Sequence, residues 1–186
     1  MESRTKTDRG KYLKIMIASL LEVVKNIDFI KRLDTNLVSI RDTNHSHYYD
    51  VIDNAGLKNL LVVQFDDLVE EIKIEYRDSY KEHPPSENDI KMILEWAKQK
   101  MSENNKDFIV QCTAGVSRSS AVAILIQYLQ DPSQALKVIN PIFHSPNEKV
   151  LEIGEKLLNT KDIKEPTRKM LKEHDEQWMK SLENRK

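Results

Sequence analysis

Residues 108–124 read FIVQCTAGVSRSSAVAI. Five residues, Phe108 to Cys112, form a short apolar run of the kind that suits a strand buried on both faces. The run from Ala121 to Leu129 is apolar almost all round, as in a helix surrounded by protein. Between them lie Thr113 to Ser117, with Gly115 in the middle, and then Arg118 and Ser119. The stretch therefore reads as strand, tight loop and helix N-terminus. A loop in that place turns successive backbone N–H groups inward, and the helix dipole adds partial positive charge at its mouth. Such a nest holds a tetrahedral dianion such as phosphate.

Each residue type in the loop has a chemical reason. Gly115 lets the chain turn back without a Cβ in the way. The amides of Thr113, Ala114, Gly115, Val116, Ser117 and Arg118 are the expected phosphate donors, and the Arg118 guanidinium can form a fork to two phosphate oxygens. Cys112, the single cysteine of the chain, sits at the bottom of the nest. The same donors favour its thiolate, which is the nucleophilic form. Ser119 lies one residue beyond the arginine and can donate to the sulfur, helping it both to attack and to leave.

Working outward, Ile15–Ala18, Leu37–Ile40 and Leu60–Phe65 are further short apolar runs read as strands. Helical patterns lie between them. One runs from Leu20 to Ile30. A second places Ile90, Ile93, Leu94, Ala97 and Met101 on one stripe, opened by Ser86 and Asp89 at capping-box spacing after Pro84-Pro85. A third opens at Pro146-Asn147, with Asn147 as its cap and Val150, Leu151, Gly154, Leu157 and Leu158 on one face. Strands alternating with helices predict an α/β fold with a central, mostly parallel sheet flanked by helices.

Composition narrows the function. The chain has 186 residues, with 29 basic and 30 acidic side chains and a formal net charge of -1. That balance excludes a generally basic nucleic-acid coat, and no nucleic-acid partner is expected. One cysteine excludes an intramolecular disulfide and a cysteine-rich zinc site, and it fits a reducing compartment. No apolar run reaches the roughly 18 residues of a membrane span. The stretch YLKIMIASLLEVV imitates a short signal peptide, but Lys14 and Glu22 interrupt it, so a cytoplasmic protein is expected. Residues 1–14 carry five basic and two acidic residues, and residues 161–186 carry eight and six, so both ends are net positive around an acidic middle. The expected organisation is a basic extension over 1–11, one catalytic domain over 12–160 and a charged C-terminal helix over 161–186.

The segment from Gln111 to Ser119 resembles the signature loop of the cysteine-dependent protein tyrosine phosphatases, in their compact dual-specificity-like branch. That family carries His-Cys-x-x-Gly-x-x-Arg-Ser/Thr, and the likeness extends over roughly residues 12–159. It implies a phosphotyrosine protein phosphatase-like fold and hydrolysis of phosphomonoesters through a phosphocysteine, with no metal and no cofactor. Gln111 stands where the family has His; it can donate hydrogen bonds but cannot carry charge. The family also implies a general acid on the loop after an apolar strand. Here LLVVQFDDL supplies Asp67, which fits the family pattern better, and Asp66 as the alternate.

The implied substrate is a phosphorylated protein, with tyrosine or mixed specificity. Three other readings compete. A phosphoinositide or RNA 5′-phosphatase is one, although such enzymes often carry Lys or Arg inside the loop, where Thr113, Ala114, Val116 and Ser117 are uncharged. A non-catalytic phosphate-binding pseudophosphatase is the second, motivated by Gln111. A rhodanese-like sulfurtransferase is the third. Elsewhere, His45 and His47 flank Ser46 at a spacing that could ligate a metal, but with Tyr48 and Tyr49 they read better as a polar loop at the active-site rim. His144 lies near the Pro146-Asn147 helix start and could approach the same rim. In the C-terminal segment Pro166 suits a first helical turn. Leu171, His174, Trp178 and Leu182 share one face, which could pack on the domain or serve a partner or dimer.

Overall fold

The computed structural model describes residues 14–43, 46–68, 83–103 and 107–183. Four strands, β1 (Ile15–Ser19), β2 (Asn36–Arg41), β3 (Leu60–Gln64) and β4 (Phe108–Cys112), form one sheet in the order β1-β4-β2-β3. Every pairing is parallel, with Ser19 opposite Cys112 and Ser39 opposite Gln111. The strand that carries the cysteine is thus flanked on both sides, and its carboxyl end opens where the chain order reverses. In open parallel sheets that is where ligands bind.

Side chains alternate across the sheet. Leu37 and Ile109 pack with Leu20, Val23, Ile30, Tyr49 and Ile52 on one face. Val38, Ile40, Phe108, Val110 and Cys112 face the larger cluster on the other side. The first face is covered by α1 (Leu20–Lys25), α2 (Ile27–Leu33) and α3 (His47–Asn54). The second is covered by α4 (Glu87–Ser102), α5 (Arg118–Gln130) and α6 (Glu148–Leu158). A short 3-10 turn, Pro132–Val138, packs on α5, and α7 (Lys164–Glu183) closes the chain. Among the described residues no helix is long and apolar enough to cross a membrane.

Local chemistry explains the element ends. Ser19 closes β1 and caps α1 through a capping box, its hydroxyl accepting from Glu22 N while the Glu22 carboxylate accepts from Ser19 N at 2.7 Å. Those backbone and hydroxyl donors of Ser19 hold Glu22 below the usual carboxylate range. Ser86 and Asp89 form the second box, as the spacing predicts. On α4 the buried residues are Ile90, Ile93, Leu94 and Ala97, with Met101 partly buried behind them. On α5 the residues from Arg118 to Ile126 are all buried. Gly154 of α6 meets α5 so closely that a Cβ would fall 2.3 Å from Leu125 Cδ2.

Two expectations need correction. The single helix read over Leu20 to Ile30 is two helices, because Asn26 leaves the helical region (φ −112°, ψ 15°) and its side-chain amide donates to Glu22 O at 2.8 Å. The polar loop read around His47 is instead helix α3. Ser46 caps it by accepting from Tyr48 N, and burial of Tyr49 and Ile52 against the sheet secures it. His45 lies outside the described residues. Pro166 falls in the first turn of α7, as its fixed φ allows. The first part of that helix is held through buried Thr167, partly buried Met170 and the Arg168–Glu148 ion pair; Leu171 and His174 are partly buried, and Trp178 and Leu182 are exposed.

Candidate active site

Cys112 ends β4 and is 2% exposed. The chain then folds over it. Gly115 adopts φ +73°, and its N–H donates to Cys112 Sγ at 3.3 Å. A Cβ on Gly115 would lie 2.6 Å from Ser19 N and 2.8 Å from Ala18 C, so the loop rests directly on the backbone at the end of β1. Leu20 N donates to Thr113 O at 3.2 Å and ties the start of the loop to α1. The other end is held by Ser145 N to Val116 O and Asn147 N to Ser117 O, both 3.2 Å, and by the Ser120 hydroxyl, which donates to the carbonyls of Val116 and Ser117. Ser119, in the first turn of α5, brings its hydroxyl 3.1 Å from Cys112 Sγ.

Arg118 is 4% exposed and reaches across the loop. Its Nη1 donates to Phe65 O at 2.8 Å, just past β3. Its Nη2 pairs with Asp42 Oδ1 at 2.7 Å and lies 3.4 Å from Thr113 Oγ1. The Thr113 hydroxyl also donates to Asp42 Oδ2. Among the described residues Arg118 Nε is buried without a partner. Asp42 is the residue that sequence reading missed. It follows the last residue of β2, far from the loop in sequence, and the signal that could have found it is its position at the carboxyl end of the strand next to β4.

The two aspartates after β3 have different surroundings. Asp66 is tied down: its carboxylate accepts from Thr43 N (3.0 Å), Thr43 Oγ1 (2.8 Å) and His83 N (2.7 Å). Burial pushes its pKa up, but the His83 and Thr43 hydrogen bonds and the nearby Arg118 charge outweigh it, and the group sits below the usual carboxylate range. Asp67 is exposed at the rim. Its Oδ1 accepts from Ser117 Oγ and from Asn147 Nδ2, both at 2.7 Å, which fixes the carboxylate beside the signature loop. Asn147 does two jobs: its Oδ1 accepts from Val150 N at 3.0 Å as the cap of α6, and its amide holds Asp67.

Gln111 is fully buried; its Oε1 accepts from the Ser39 hydroxyl at 2.8 Å, and its Nε2 has no partner among the described residues. His144 lies in the turn that docks on Val116 through Ser145. Its Nδ1 accepts from Asn140 N at 2.8 Å, and burial lowers its pKa. Cys112, Ser119 and the Gly115 amide thus meet at the carboxyl end of β4, with Arg118 at the far end of the loop. Asp67 is tied to the same loop through Ser117, and Asp66 turns to Thr43 and His83.

Neither a family model nor a curated protein sequence matches this chain. Solved structures do. The human tyrosine phosphatase-like serine/threonine/tyrosine-interacting protein is similar at 13% identity and a TM-score of 0.52, over 78% of this chain and 91% of that one. The Cydia pomonella PTP-2 phosphatase is similar at 16% identity and a TM-score of 0.50, over 82% and 88%. At these identities the likeness is one of fold.

Proposed function

We propose that this chain, whose fold is similar to that of solved tyrosine phosphatase structures, is a phosphomonoester hydrolase of the dual-specificity-like kind that works through a phosphocysteine on Cys112. One observation carries the reading: Cys112 Sγ receives the Gly115 N–H and faces the Ser119 hydroxyl beneath a loop that ends on a buried arginine.

In this mechanism the amides of Thr113 to Arg118 and the Arg118 guanidinium hold the three non-bridging oxygens. Cys112 Sγ forms a bond to phosphorus as the bond to the leaving oxygen breaks. Asp67, protonated at this stage, gives that oxygen its proton from the carboxyl group that Ser117 and Asn147 hold at the rim. Water then attacks phosphorus and passes a proton to Asp67, and the sulfur departs as a thiolate that accepts the Ser119 hydrogen bond. Positioned donors around the transferring group supply the largest share of the catalysis. No metal enters either step. The bonds that Asp66 makes to Thr43 and His83 favour Asp67 over Asp66 as the acid.

The substrate class that fits is a phosphorylated protein, taken in a shallow cleft of dual-specificity type and in a cytoplasmic setting. The uncharged side chains of Thr113, Ala114, Val116 and Ser117 argue against a phosphoinositide or RNA 5′-phosphate. The catalytic unit is assigned to residues 12–160, with 1–11 and 161–186 as extensions and the exposed face of α7 as a surface for a partner or a second copy. Gln111, with a buried amide nitrogen lacking a partner, favours one second reading, a module that binds phosphate without turning it over.

Hydrolysis of p-nitrophenyl phosphate separates the two. Wild-type protein is expected to turn over, and Cys112→Ser to lose turnover while still binding the substrate. Appreciable hydrolysis by the serine variant overturns the phosphocysteine route, and an inert wild type that binds phosphate establishes the second reading.

A further inference from the structure

A buried guanidinium requires a counter-charge. For Arg118 that charge is the Asp42 carboxylate, 2.7 Å from Nη2. Asp42 is firmly placed: its N–H donates to Tyr49 Oη at 3.2 Å, and its Oδ2 receives the Thr113 hydroxyl. Nη2 is shared between Asp42 and Thr113 Oγ1, while Nη1 is held by Phe65 O. The remaining donor, Nε, is buried and has no partner among the described residues. A guanidinium grips an oxyanion best with two N–H groups on one edge, and Nε shares its edge with Nη2. One half of that fork is therefore free, and the other half is engaged by a carboxylate of this chain.

We propose that Asp42 is a specificity-determining residue of the phosphatase site, acting as the resident counter-ion of Arg118, so that a phosphoryl group binds by taking Nη2 from it. The inference rests on the phosphatase reading of the same site. Exchanging one anion for another returns less free energy than filling an unpaired cation, and the displaced carboxylate remains beside the bound phosphate as a like charge. Asp42 thereby weakens the hold on ground-state phosphate. Inorganic phosphate, the product, is held loosely and leaves. Anions that carry several adjacent phosphates meet the same repulsion more strongly than a single phosphomonoester does.

The test compares wild type with Asp42→Asn, which keeps the side-chain shape and removes the charge, using inorganic phosphate as the probe. Two quantities are read: competitive inhibition of p-nitrophenyl phosphate hydrolysis, and the rise in Tm that phosphate produces. The variant is expected to bind phosphate about tenfold more tightly, the scale of one charge-assisted contact. KM is expected to fall with it, and the phosphate-induced rise in Tm to exceed that of wild type. If the variant folds only when phosphate is present, the inference is also supported, because the buried cation then takes its anion from solution. Unchanged or weaker phosphate binding in a variant that still turns over overturns the inference and leaves the phosphatase reading standing. So does a variant that fails to fold and is not restored by phosphate, beside an active wild type. If wild type neither hydrolyses the substrate nor responds to phosphate, both readings fall together.

Discussion

Replacing Gly115 by alanine tests the seat of the whole site. Two costs follow from the structure. The first is conformational: at φ +73° a non-glycine residue costs about 1–2 kcal/mol. The second is steric: the new Cβ would sit 2.6 Å from Ser19 N and 2.8 Å from Ala18 C. Both atoms are backbone of the last two residues of β1, so no rotamer change relieves them, and forced overpacking of this kind costs about 1–3 kcal/mol. Together they predict a loss of about 3 kcal/mol, or a fall in Tm of about 6–12 °C for a chain of this size. Gly56→Ala is the control. Its φ is +66°, but the nearest atom to the added Cβ is Lys31 Nζ at 3.5 Å. It carries the first cost without the second, so the difference between the variants isolates the clash. Thermal melts of both proteins, with p-nitrophenyl phosphate turnover alongside, make the measurement. Gly115→Ala is also expected to lose about 10²-fold or more in kcat, because relieving the clash lifts the Gly115 amide from the sulfur. A Gly115→Ala protein that melts within about 1 °C of Gly56→Ala and keeps wild-type turnover would falsify the docking of this loop on β1.

Three further perturbations address single side chains. Asp67→Ala is expected to slow hydrolysis of phenyl phosphate by about 10²-fold while sparing an activated ester with a good leaving group; equal losses on both would remove Asp67 from the acid role. In the proposed mechanism Ser119→Ala takes one donor from the departing thiolate, so breakdown of the proposed phosphocysteine should slow by about 10-fold or more. Stopped-flow mixing with p-nitrophenyl phosphate should then show a burst near one equivalent, and a burst-free trace with unchanged kcat counts against the Ser119 assignment. Asp66 has a lowered pKa in the folded chain, so its contribution to stability is present above the unfolded carboxylate value of about 3.9 and is lost as pH falls through the folded value. Asp66→Asn should therefore be less stable than wild type at neutral pH, with the gap closing below about pH 4; a gap that stays constant across that range contradicts the ionised, hydrogen-bonded state.

Much of the fold is legible in the sequence because the four strands are short, apolar and separated by strong helix signals. Each read strand lies within a residue or so of the observed one, and β4 coincides with it. The boundary of α4 is legible for a chemical reason, since Ser86 and Asp89 stand at the spacing of a reciprocal cap. Helix α3 is not, because its sequence, HYYDVIDN, has little intrinsic helix preference. Tertiary burial of Tyr49 and Ile52 decides it. The break at Asn26 is equally local in cause and invisible in the apolar pattern. In the site, the spacing of Cys112, Gly115, Arg118 and Ser119 carries the shape of the loop. The Asp42 carboxylate and the Asn147 amide are out of reach of that reasoning. They meet Arg118 and Asp67 only once β2, β3 and α6 are assembled around β4.

The strand order has a consequence for how the molecule comes into being. β1 is made well before its partner β4, with Ile15 opposite Phe108. Contacts between such distant segments pay their loop-closure entropy before they return anything, and they form slowly. The floor under Gly115 is the end of β1, so the loop after Cys112 is seated only once β4 has paired with β1. Closing the chain between the two strands is thus a precondition for enclosing the sulfur.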